Sequence, residues 1–81
     1  MVGVVRKYMA DCMEIIVDTK MSYDEKHSAM QEMFGARMDE LDRASERLSQ
    51  SAYKQIECDL YTVRNTTHRV LFDAYDIAFT K

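Results

Sequence analysis

The stretch YDEKHSAMQEMFGARMDELDRASERL, residues 23–48, decides the fold. Within it Tyr23, His27, Met30, Phe34, Arg37, Leu41, Ala44 and Leu48 recur at spacings of 4, 3, 4, 3, 4, 3 and 4. Residues so spaced share one side of an α-helix, whose side-chain period is 3.6. The remaining surface carries Asp24, Glu25, Lys26, Glu32, Asp39, Glu40, Asp42, Arg43, Glu46 and Arg47. The pattern predicts a one-faced helix over 23–48, about 39 Å long, with its other side in water. Ser22, three residues before Glu25, has the spacing of a capping box, in which hydroxyl and carboxylate satisfy donors of the first turn. Asp39 and Arg43 stand at i,i+4, where an ion pair adds a few tenths of a kcal/mol.

On the N-terminal side, Val2, Val5, Met9, Cys12 and Ile16 are spaced 3, 4, 3 and 4, and predict a helix over 3–19. Its polar strip, Lys7, Asp11, Glu14 and Asp18, is narrow, because Val4, Tyr8, Met13, Ile15 and Val17 fill the space between. A helix that is apolar around most of its circumference needs cover on more than one side. Thr19-Lys20-Met21-Ser22 is the break that follows.

On the C-terminal side, Ser49-Gln50-Ser51 reads as a turn before a third helix over 52–80. That helix has a stripe of Tyr53, Ile56, Leu60, Val63, Thr67, Val70, Ala74 and Ile77. Asn65-Thr66-Thr67 are poor helix formers and mark a place where it could kink or divide. A second stripe, Cys58, Tyr61, Asn65, His68, Phe72, Tyr75 and Phe79, lies on the opposite side. Residues 52–81 hold 15 apolar residues in 30, against 10 in 30 for residues 22–51. One wide face suffices in a three-helix monomer, so either the third helix sits centrally with both stripes against its own neighbours, or Tyr61, His68, Phe72, Tyr75 and Phe79 form a candidate partner-binding surface.

Composition agrees with the helical reading. Proline is absent, and glycine occurs only at Gly3 and Gly35, whereas a small sheet protein needs turn residues every 8–12 positions or so. The sequence therefore predicts one all-α domain over 1–81: a three-helix bundle, or a helical hairpin with an added N-terminal helix. The alternative is one long helix from Tyr23 to Phe79, roughly 85 Å, pairing as a dimeric coiled coil. A domain of 81 residues is marginal unless a disulfide, a metal or a partner supplements its core. Two cysteines, Cys12 and Cys58, make no disulfide framework, and no CxxC, HxxxH or HExxH spacing is present. A partner, either a second copy or another protein, is the remaining supplement, and a homodimer or higher oligomer is expected.

A net charge of −3, with 11 basic residues scattered among 14 acidic ones, argues against a nucleic-acid binder, which concentrates its basic residues on one face. No apolar run reaches the roughly 20 residues of a membrane span. Arg6, Lys7, Asp11 and Glu14 interrupt the N-terminal apolar stretch, and Val2 stands where myristoylation needs glycine. A soluble, cytoplasmic protein is expected.

Little points to catalysis. No paired carboxylates, Ser-His-Asp set or phosphate loop stands out, and Cys12 has no neighbouring His or Lys to lower its pKa. His27, three residues after Asp24, supplies too few ligands for a metal. Arg37 in an apolar stripe would snorkel, pair across an interface, or meet an anion together with Arg43, Arg47 or His27. The expectation is a non-catalytic protein-binding module, an adaptor or inhibitor of a larger protein of the kind found in phages and mobile elements, without cofactor or metal. A self-assembling homo-oligomer is the first alternative; a nucleotide or anion binder is the weaker one.

Overall fold

The computed structural model describes the backbone of residues 2–79 and the side chains of residues 3–75. Among the described residues there are three α-helices and no strand: α1 (Val2–Val17), α2 (Tyr23–Ala44) and α3 (Gln50–Phe79). The predicted 3–19 ends two residues early, because Asp18 turns its carboxylate onto the Lys20 amide at 2.7 Å and closes a loop. The capping box forms with both bonds: the Glu25 amide donates to Ser22 Oγ and the Ser22 amide to Glu25 Oε1, each at 3.2 Å.

The end of the second helix differs from the expected 23–48. Helical geometry tightens after Ala44 into one 3-10 turn, Ser45–Arg47, and Leu48 is extended. Ser49 then caps α3, its Oγ accepting from the Ala52 amide at 3.1 Å and its carbonyl from the Tyr53 amide at 2.9 Å. The reversal thus falls at Leu48–Ser49, and two of the three residues read as a turn belong to the first turn of α3. The Tyr53 hydroxyl donates to Asp42 Oδ1 at 2.7 Å and fastens the two arms together. A single helix of 85 Å is ruled out: the molecule measures 49 × 19 × 16 Å. Asn65-Thr66-Thr67 lies inside α3, and no fourth helix starts there. Thr67 Oγ1 donates to the Val63 carbonyl at 2.7 Å, the way a helix accommodates a buried hydroxyl.

Every pair of helices packs together. Rings meet at Tyr23–Tyr75, His27–His68 and Phe34–Tyr61, so α2 and α3 run antiparallel. Tyr8 meets Phe34, and Lys26 meets the end of α1 at Ile16, so α1 is antiparallel to α2 as well. The core consists of Tyr8, Cys12, Met30, Leu41, Leu60, Val63 and Leu71. On α2 the predicted stripe is the buried face. On α3 it holds as far as Thr67 and then moves: Leu71 is buried and Tyr75 packs on the core, while Val70 is exposed. A strict seven-residue spacing drifts about 20° per heptad on a straight helix, so the inward position shifts by one residue toward the end. On α1 the inward residues are Val4, Tyr8 and Cys12, with Val5, Ile15 and Ile16 beside them, whereas Met9 faces out.

Two charge assignments also change. Lys26, read as part of the wet surface, is 5% exposed. Arg43 does not reach the Asp39 carboxylate; its Nε donates to the Asp39 carbonyl at 3.4 Å.

Candidate functional site

The second stripe of α3 is divided by the packing. Three of its rings point to α2: Tyr61 meets Phe34 edge-on at 5.1 Å, His68 meets His27 at 5.0 Å, and Tyr75 meets Tyr23 at 5.1 Å. The T-shaped geometries suit ring quadrupoles, and such pairs contribute about 0.5–1.5 kcal/mol beyond burial. Arg64 stacks its guanidinium over the outer side of Phe34 at 5.3 Å. Phe72, by contrast, is 57% exposed and Tyr61 is 46% exposed despite its contact. Both lie on one line of α3, eleven residues apart, with Asn65 exposed between them. The side chain of Phe79 lies outside the described residues. Of the five candidate partner-binding residues, Phe72 faces out, Tyr61 is half-exposed at the edge of the seam beside Phe34, His68 and Tyr75 lie in the seam, and Phe79 is not described.

Lys26 explains how the seam closes. Its Nζ donates to the Ile16 carbonyl at 2.8 Å and sits 5.5 Å from the centre of the Tyr75 ring. The carbonyls at a helix C-terminus have no partner within the helix and carry the negative end of its dipole, so a buried ammonium is held there from two sides. One side chain of α2 thereby touches both α1 and α3. Periodicity could not reveal it, since lysine on a charged helix reads as solvated.

The His27 and His68 rings meet edge-on across the seam. His68 Nε2 is buried and unbonded. Burial first, then the neighbouring His27 and Arg64, hold the His68 imidazole below its ordinary pKa. His27 also stacks on Tyr23 at 6.1 Å, and Asp24 is exposed rather than bonded to it. Among the described residues, no three His, Cys, Asp or Glu come together as metal ligands do. Arg37 pairs with Glu40 on its own helix at 2.8 Å. It lies about 15 Å from His27 along α2, so these two do not converge on one anion. Arg43 and Arg47 line a shallow groove at the hairpin end with Glu40, Ala44 and Leu48. The Cys12 thiol is raised by burial, with Thr67 and Tyr8 close enough to oppose the shift, and so stays protonated at neutral pH.

A surface that the stripe reading passed over is the outer side of α1. Met9, Met13 and Val17 are 45%, 44% and 69% exposed. The signal was in the sequence, as the narrow polar strip of this helix, but nothing there told which apolar side would be left open.

Comparison of the chain with family models, characterised proteins and solved structures finds no match. Among the described residues, no helix is long and apolar enough to cross a membrane.

Proposed function

We propose that this chain is a small three-helix bundle that acts as a non-catalytic protein-binding module, an adaptor or inhibitor engaging a larger protein. The observation that carries the reading is the exposure of Tyr61 and Phe72 on one line of α3, whose His68 and Tyr75 rings meet α2 instead. Aromatic side chains are enriched at interfaces because each brings a large contact area at low entropic cost.

The test is affinity purification from the native host, with the wild-type chain beside a Tyr61→Ser/Phe72→Ser variant of verified helicity. The reading expects one larger protein enriched by the wild type and lost with the variant. Recovery of the same proteins by both, or of nothing but the chain itself, would contradict it.

The self-assembling homo-oligomer draws on another surface. Met9, Met13 and Val17 on α1 form an apolar face that the fold leaves uncovered, and this supports self-association as a second reading.

A further inference from the structure

We propose that a second copy of this chain docks on the outer face of α1, with the two α1 helices antiparallel. The inference gives the self-assembly reading a geometry and does not depend on the adaptor reading, since it leaves Tyr61 and Phe72 open.

The outward side of α1 is a seam in its own right. Gly3, Arg6, Ala10, Met13 and Val17 are spaced 3, 4, 3 and 4, and all five are exposed. They lie opposite the inward residues Val4, Tyr8 and Cys12. Such spacing is that of the a and d positions through which two helices pack, with Gly3, Ala10 and Val17 as one set and Arg6 and Met13 as the other. Small side chains favour close approach, and around Gly3 there is open space, nothing lying within 4 Å of where a Cβ would be.

Charge selects the orientation. In a parallel pair Arg6 would face Arg6 of the other copy inside the seam, and desolvated like charges are strongly unfavourable. Antiparallel packing sets a positions against d positions. Ala10 then meets Met13 of the second copy, and Arg6 lays its aliphatic stem beside Val17 with its head at the edge. The flank toward the polar strip carries Lys7 and Glu14, seven residues apart and both exposed. In the antiparallel arrangement Lys7 of each copy comes opposite Glu14 of the other, giving two symmetric ion pairs. The other flank is apolar, with Met9 exposed and Ile16 half-buried. Arg6, Lys7 and Glu14 make no ion pair among the described residues, so all three are at liberty to pair across the seam.

The face is short. Sixteen residues of helix extend about 24 Å, and contacts below about 1,200 Å² in total are of the weak, exchanging class. The dimer is accordingly one that forms and dissociates with concentration.

Sedimentation velocity over a rising concentration series, with reductant present to keep the exposed Cys58 free, reads this directly. The wild-type chain should move from 9.5 kDa toward twice that mass. Met13→Glu should remain monomeric with unchanged helicity. Lys7→Glu and Glu14→Lys should each weaken association by roughly three- to thirtyfold, as expected for two exposed ion pairs reversed, and the double variant should recover it. A wild type that stays monomeric throughout overturns the proposal. So does a dimer that survives Met13→Glu, or one that Phe72→Ser dissolves and Met13→Glu does not. A monomer that still captures a larger protein through Tyr61 and Phe72 would sink the dimer and leave the adaptor reading standing.

Discussion

The seam between α2 and α3 and the outer face of α1 are both apolar lines at helical spacing, yet the molecule uses them in opposite ways. Along the seam, His68 and Tyr75 of the line that looked outward are drawn onto His27 and Tyr23, and Lys26 closes one end over Tyr75. Along α1, Met9, Met13 and Val17 meet nothing large enough to cover them. Hydrophobic spacing states that a side of a helix wants cover. Whether that cover comes from the chain or from elsewhere is decided by how many helices there are to supply it.

Core truncation should separate the two regions most sharply. Leu60→Ala, at a fully buried position, should cost about 2–5 kcal/mol in denaturant unfolding. Domains of this size rarely hold more than about 3–5 kcal/mol in total, so the variant should be partly unfolded at 25 °C. Met13→Ala, on the outer face, should stay within about 0.5 kcal/mol of wild type when measured as a monomer. Comparable losses at the two positions would erase the contrast.

Lys26→Met keeps the aliphatic stem and removes the ammonium. It should cost about 1–2 kcal/mol through the lost bond to Ile16 and the lost contact with the Tyr75 ring. Amide exchange near Ile16 and Val17 should quicken together with exchange around Tyr75. A change confined to one helix would mean that Lys26 does not join three.

A smaller effect is gated by pH. The folded pKa of His68 is lowered, by burial first and then by His27 and Arg64, so the unfolded chain binds the proton more readily. Stability from this group is therefore complete above the unfolded value of about 6.5 and declines as pH falls below it, through the folded value. His68→Gln should flatten the dependence of melting temperature on pH between about 6.5 and 5, before the carboxylates titrate. A slope unchanged by the substitution would assign it to other groups.

Much of the fold was legible because two separate signals agreed. Missing turn residues excluded sheet, and the unbroken line from Tyr23 to Leu48 placed the inner face of α2, with Met30 and Leu41 fully buried on it. The Ser22–Glu25 box was legible because capping needs only local geometry. Elsewhere the tertiary context decided. The inner line of α3 slides from Val70 to Leu71 because 3.6 residues per turn does not match a seven-residue repeat. The inner side of α1 was ambiguous because most of its circumference is apolar, and Tyr8 took the core place that Met9 was expected to hold. Lys26 and the His27–His68 pair required knowing which residues of α2 and α3 stand level with each other. The partner-binding surface was legible as a surplus of apolar residues, and its division into seam and exposed rings was not.

Parallel denaturant unfolding of Phe72→Ser and Tyr75→Ser tests this division most directly, since the two residues are three apart on one line of α3. Tyr75 packs on the core and under Lys26, and its loss should lower stability by about 2 kcal/mol. Phe72 stands in solvent, and its loss should change stability by less than about 0.5 kcal/mol. Equal losses from the two, or a neutral Tyr75→Ser, would contradict the account.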